Sequence, residues 1–200
     1  MGVEKVNLAN KITIVRILMI PLFMLALQKY PAWLADQSSF FTFLNQYGLY
    51  IGISLFVIAS VTDKLDGYVA RKYNQITNFG KLMDPLADKL LVSAALIMMV
   101  QNDMIPSWIA IVIIGREVMV SGLRILAAAK GLALAADKHG KIKLVMQVVA
   151  ITAVLLDNFP FAFLTKLPID LYIMLFAVAI TIYSGYKYMK NNYLQLQLDQ

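Results

Sequence analysis

Cysteine is absent from the 200-residue chain, which excludes disulfides, thiolate metal ligands and cysteine nucleophiles. Histidine occurs once, and His139 reads as a solvated loop residue. Charge is scarce too. Asp, Glu, Lys and Arg make up 15% of the residues, against about 25% in soluble globular domains. No repeat, linker or low-complexity stretch divides the chain, so residues 1–200 read as one integral domain. A cleavable signal peptide is not expected, because the first apolar run, 12–27, leads into Lys29-Tyr30-Pro31 rather than a small-residue cleavage site.

Apolar sequence is what the chain has in abundance, at 60% of residues. A single soluble domain of this size would leave much of that surface in water, whereas about 20 apolar residues cross the roughly 30 Å hydrocarbon layer of a bilayer. Six spans are predicted, over 12–27, 47–61, 86–100, 105–129, 142–156 and 167–189, making an all-α integral membrane protein with six transmembrane helices. The second and third are expected to continue as helices into the polar stretch between them. Residues 2–10 fit a short amphipathic segment lying on the membrane surface. Sixteen of the 18 Lys and Arg residues fall on one side of this arrangement, leaving only Lys29 and Lys166 on the other. Retention of Lys and Arg on the cytoplasmic side then puts both termini in the cytoplasm. Trp33 and Trp108, near span ends on the outer side, read as interfacial anchors, as do Lys187, Tyr188 and Lys190 at the end of the last span.

The polar stretch between the second and third spans is rich in carboxylates. Asp63 and Asp66 are i, i+3 neighbours and Asp84 and Asp88 are i, i+4 neighbours, so on helices each pair shares a face. Four anions gathered at one membrane surface call for a hard divalent cation with oxygen ligands. Two cations would suit four carboxylates and a diphosphate. The set does not match an EF-hand, whose ligands alternate within one short loop. Gly67, Ala70 and Gly80 allow a nucleotide or a neighbouring helix close to the backbone. Pro85 admits two readings: a first helical turn with Asp84 near the N-cap, or a kink inside a longer helix.

The pattern D-x2-D-G-x2-A-R-x8-G-x3-D-x3-D, running from Asp63 to Asp88, resembles the signature of the CDP-alcohol phosphotransferase family at all eight fixed positions. That resemblance implies a six-helix membrane fold, commonly dimeric, in the cell membrane with its active site facing the cytoplasm. It implies that Asp63, Asp66 and Asp84 hold Mg²⁺ or Mn²⁺, two ions per site, against the CDP diphosphate. Asp88 would complete the metal site and act as base, while Gly67, Ala70, Arg71 and Gly80 would line the CDP pocket.

Further along, Gly115-Arg116-Glu117 and Gly122-Leu123-Arg124 put two arginines eight positions apart on one helix face. An arginine inside a membrane is costly and needs a partner. The two either neutralise Glu117 and the aspartates, or use their forked donors on a phosphate. Lys141 and Lys143 add cations on the same side. The R-E-x4-G-L-R stretch, the downstream Gly140-Lys-Ile-Lys143 and Asn10-Lys-Ile-Thr13-Ile-Val-Arg16 resemble the bacterial branch of the family that makes phosphatidylglycerophosphate. For this chain the likeness implies CDP-diacylglycerol as donor and sn-glycerol 3-phosphate as acceptor. Arg116 and Arg124, helped by Lys141 or Lys143, would hold the acceptor phosphate. Asn10, Thr13 and Arg16, at i, i+3 and i+6, either support the bound phosphates or act as helix cap and snorkelling arginine.

The family resemblance favours direct in-line displacement at phosphorus over a covalent intermediate. A carboxylate is a weak base at neutral pH, so metal assistance to the attacking hydroxyl is expected to share the work with Asp88. Inositol phosphate, phosphatidylglycerol and serine are alternative acceptors. Aspartate-rich membrane prenyltransferases also bind diphosphates, but have more spans and two separated motifs. A cation transporter is disfavoured because these aspartates lie in one segment near one surface. The expected partners are membrane lipids and a second copy of the chain, not nucleic acid.

Overall fold

The computed structural model describes residues 8–72, 78–132 and 139–196, apart from the side chains of residues 8–9, 63–72, 78–79, 81–82, 139–141 and 193–196. Among the described residues every regular element is helical. The helices are α1 (Leu8–Leu27), α2 (Ala32–Ala35), α3 (Ser39–Lys72), α4 (Asn78–Gln101), α5 (Ser107–Ala129), α6 (His139–Leu155) and α7 (Ile169–Leu196), with a 3₁₀ turn at Phe161–Phe163. They form two compact units, Met1–Asn102 and Asp103–Gln200.

Among the described residues three stretches are long and apolar enough to cross a membrane: Asn10–Leu27, Ser39–Thr62 and Ile169–Asn192. The other three expected spans fall short for visible reasons. The α4 helix carries Asp84, Asp88 and Lys89, and α5 carries Arg116, Glu117 and Arg124. The α6 helix has 17 residues. The membrane count is therefore reduced by the same charged side chains that the sequence marks for chemistry. On α5, Ile111, Val118 and Ile125 recur every seventh residue and are all exposed, forming an apolar row suited to lipid.

In the first unit, α1 packs against both α3 and α4, and α3 against α4. The α1–α3 approach depends on Gly48 and Gly52, one turn apart on α3. A Cβ on Gly48 would stand 2.0 Å from the Ala26 carbonyl oxygen, and one on Gly52 2.9 Å from Leu27 Cγ. Without side chains there, the two backbones close up, as small residues allow in membrane helices. Phe23 and Phe56, both wholly buried, meet beside this contact with ring centroids 5.9 Å apart. At one end of the unit Asn102 Nδ2 donates to the Leu27 carbonyl at 3.0 Å, satisfying a terminal helix carbonyl. The α1 and α4 helices therefore run side by side in the same direction, since Thr13 meets Asp84 nearer their starts.

Three expectations change here. The second span, expected from residue 47, belongs to a helix that begins at Ser39 with α2 before it, so the stretch between the first two expected spans is largely helical. Asn45 fastens the intervening turn, with its side chain accepting from Tyr30 N at 2.9 Å and donating to Tyr30 O at 3.0 Å. Pro85 lies inside α4, which starts at Asn78, so Asp84 is not an N-cap and the first-turn reading falls. His139 opens α6 rather than sitting in a loop. The proposed surface segment over 2–10 lies mostly outside the described residues.

In the second unit α7 packs against both α5 and α6. Its apolar core takes Ile109, Ile113 and Val120 from α5, Ile151 and Leu155 from α6, and Met174 and Ala177 from α7. One polar bond crosses that core, from Gln147 Nε2 to Thr181 Oγ1 at 3.0 Å.

Candidate active site

Asp63 and Asp66 lie near the C-terminal end of α3, where the 34-residue helix has outrun its apolar stretch. Their side chains, like those of Gly67, Ala70 and Arg71, lie outside the described residues. Gly80 is buried on α4, a turn before Asp84. Asp84 and Asp88 are successive turns of α4, and both are met by side chains of α1. Thr13 Oγ1 donates to Asp84 Oδ1 at 2.7 Å. Arg16 Nη1 donates to Asp88 Oδ1 at 3.1 Å. The Arg16 side chain is wholly buried, and that of Asp88 is 23% exposed.

Asn10, Thr13 and Arg16 are all buried, which makes the i, i+3, i+6 row the inward face of α1. The snorkelling reading of Arg16 therefore falls: its guanidinium does not reach for water but ends on a carboxylate. A buried arginine needs a partner of this kind, because removing its counter-charge leaves an uncompensated ion. The pairing of Thr13 with Asp84 and Arg16 with Asp88 was not read from the sequence. The available signal was the matched rhythm of the two rows, three residues apart on α1 and four apart on α4.

Asp84 and Asp88 offer hard oxygen donors of the type that Mg²⁺ and Mn²⁺ take, and the donor chemistry fits such an ion. Among the described residues no three acidic or histidine side chains gather into a ligand group, since Asp63 and Asp66 are not included.

The second unit gathers its cations separately. Arg116 Nη1 donates to Glu117 Oε1 at 3.1 Å and Nη2 to Ser184 Oγ at 2.8 Å. Lys143 Nζ forms an ion pair with the same Glu117 oxygen. Arg116 Nε is buried with no hydrogen-bond partner among the described residues. The Arg116 stem lies against Gly185, where a Cβ would stand 3.0 Å from Cγ.

Among the described residues Arg124 meets no carboxylate. Its Nε donates to Tyr188 Oη at 3.3 Å, and its guanidinium carbon stands 5.4 Å from the Tyr188 ring centroid. Tyr188 is only 2% exposed, so it is not the interfacial anchor expected from its place between Lys187 and Lys190. Of the arginine pair, Arg116 is the one that meets Glu117. The Lys141 side chain lies outside the described residues. One carboxylate, Glu117, is shared by two cations, Arg116 and Lys143, so this cluster keeps a surplus of positive charge. An anion is the ligand that such a surplus favours.

The sequence pattern of the CDP-alcohol phosphatidyltransferase family matches residues 6–183, running through both units. The chain is 47% identical over 195 residues to a Bacillus subtilis protein named CDP-diacylglycerol–glycerol-3-phosphate 3-phosphatidyltransferase, covering 96% of this chain and 97% of that one. A Rickettsia felis protein of the same name is 35% identical over 190 residues, covering 95% and 97%. A Mycoplasma pneumoniae protein, also so named, is 42% identical over 121 residues, covering 60% of this chain and 52% of its own.

Proposed function

The chain belongs to the CDP-alcohol phosphatidyltransferase family, and from that membership we propose that it moves the phosphatidyl group of CDP-diacylglycerol onto sn-glycerol 3-phosphate. The products are phosphatidylglycerophosphate and CMP. The near full-length likeness to relatives of that name carries the reading, because it takes in both the aspartate segment and the arginine helix.

Asp63, Asp66 and Asp84 would hold Mg²⁺ or Mn²⁺, which when bound neutralises the diphosphate and makes CMP a good leaving group. Gly67, Ala70, Arg71 and Gly80 line the CDP pocket. Asp88, oriented by Arg16, takes the proton from the acceptor hydroxyl as its oxygen attacks the lipid-side phosphorus. The P–O bond to CMP breaks as the new P–O bond forms, in one displacement. Thr13, bonded to Asp84, keeps that carboxylate in place without cancelling its charge. Arg116 and Arg124, with Lys141 and Lys143, hold the acceptor phosphate, and an uncharged alcohol lacks the group they grip.

A lipid donor with a water-soluble head suits an enzyme of six spans in the cell membrane, with both termini and the aspartates at the cytoplasmic surface, working as a homodimer. The test uses detergent-solubilised protein with CDP-diacylglycerol and Mg²⁺, offered glycerol 3-phosphate, inositol phosphate, serine or phosphatidylglycerol. CMP release with glycerol 3-phosphate alone is expected. Release with none of the four overturns the enzymatic reading, and preference for another acceptor overturns the choice of alcohol.

A further inference from the structure

The final helix contributes more than a membrane anchor. Thr181, Ser184 and Tyr188 fall at i, i+3 and i+7, one face of α7, and all three are buried. Thr181 accepts from Gln147 on α6, while Ser184 and Tyr188 accept from Arg116 and Arg124 on α5.

We propose that Tyr188 and Ser184 are positioning residues of the acceptor subsite, acting through Arg124 and Arg116 respectively. The proposal rests on the assignment of those arginines to the acceptor phosphate. An arginine bound by a carboxylate is oriented but neutralised. An arginine bound by a hydroxyl is oriented and keeps its charge. Tyr188 accepts from Arg124 at Nε, with its ring centroid 5.4 Å from the guanidinium carbon, and a bidentate phosphate contact through the terminal nitrogens does not need Nε. Among the described residues Arg124 has no partner but Tyr188, so its Nη1 and Nη2 remain as a fork held at a fixed angle. Ser184 takes one Arg116 nitrogen as a neutral acceptor while Glu117 takes the other. The phenol and the hydroxyl thereby tune affinity for a phosphorylated acceptor without touching it.

The test is a double-mutant cycle on purified enzyme. Tyr188→Phe keeps the ring and removes the acceptor oxygen. It is expected to raise KM for glycerol 3-phosphate about 10-fold, the lower end of the scale of one lost hydrogen bond to a charged group. The value of kcat and the KM for CDP-diacylglycerol should stay within about 2-fold, because a general packing defect would move all three. In an Arg124→Ala background the same change should add nothing, since its effect passes through the missing side chain. Ser184→Ala, which loses a single oxygen and is the milder packing change, should behave alike against Arg116→Ala. If Arg124→Ala raises KM but Tyr188→Phe does not, positioning by Tyr188 is overturned and the phosphate clamp stands. An unchanged KM in Arg124→Ala removes the clamp itself. A Tyr188→Phe penalty that persists in the Arg124→Ala background overturns coupling between the two.

Discussion

The two units hold their charged groups by different means. In the first, α1 supplies a cation to one carboxylate and a hydroxyl to the other, so Asp88 is paired and Asp84 is merely tethered. In the second, Arg116 and Lys143 share one carboxylate, and Arg124 is tethered by a phenol. A full counter-charge gives a strong, well-directed bond but cancels the field that a ligand would meet. A neutral partner fixes direction and leaves the field standing. Asp84 and Arg124 are therefore the groups best placed to meet a charged ligand, one of each sign. Asp88 and Arg116 are more firmly anchored in their own units.

The largest effect expected from this contrast separates the two aspartates. Asp84→Asn and Asp88→Asn should each lower turnover by on the order of 10³-fold or more. Their stabilities should differ. Asparagine at 84 still accepts from Thr13, so thermal unfolding should move by less than about 1 kcal/mol. Asparagine at 88 removes the counter-charge of the ion pair with the buried Arg16, and the loss should be about 2–4 kcal/mol. Adding Arg16→Met to Asp88→Asn should recover most of that stability and none of the turnover. Equal melting shifts in the two single variants would erase the distinction between a paired and a tethered carboxylate.

Much of this was legible in the sequence where the signal was local. The four aspartates fall within a stretch of 26 positions, and the arginines, glutamate and glycines of α5 within a shorter one, so spacing alone puts neighbours on shared faces. What one chain does not display is which face meets which. Thr13 and Asp84 are 71 residues apart, and an apolar helix with an inward polar row gives no address for that row. Tyr188 misled for the same reason. A tyrosine between two lysines at the end of an apolar run fits an interfacial belt, and only the packing of α5 against α7 shows it buried beneath Arg124. Pro85 satisfies both a helix start and a helix interior by local rules, and the extension of α4 back to Asn78 decides between them. The Gly48-x3-Gly52 step is visible in the sequence, but the apolar run around it reads as a span whether or not the glycines meet another helix.

A smaller effect tests whether Glu117 is the neutralised member of the second unit. Glu117→Gln leaves Arg116 and Lys143 without their shared counter-charge, and the unit should lose about 2–3 kcal/mol of stability in a detergent melt. Replacing Lys143 with Met in the same chain removes one surplus cation and should restore roughly half of the loss. Had Glu117 been only a solvated surface charge, the single variant would move stability by less than about 0.5 kcal/mol and the second change would do nothing.

The smallest effects expected set one glycine of each unit against the other. Gly48→Ala puts a methyl group 2.0 Å from the Ala26 carbonyl oxygen, which is backbone and cannot swing aside. The α1 and α3 helices must then part, at a cost of about 1–3 kcal/mol. Because α1 carries Thr13 and Arg16 to Asp84 and Asp88, the same separation should lower turnover. Gly115→Ala meets nothing within 4 Å and should change stability by less than about 1 kcal/mol, in the stabilising direction, since alanine is the better helix former. Melting curves and turnover measured on both variants in one detergent separate the two cases. A well-tolerated Gly48→Ala would mean that the α1–α3 contact does not hold Thr13 and Arg16 in place. A Gly115→Ala variant that melts much earlier would show that the open face of α5 is packed against something in the membrane.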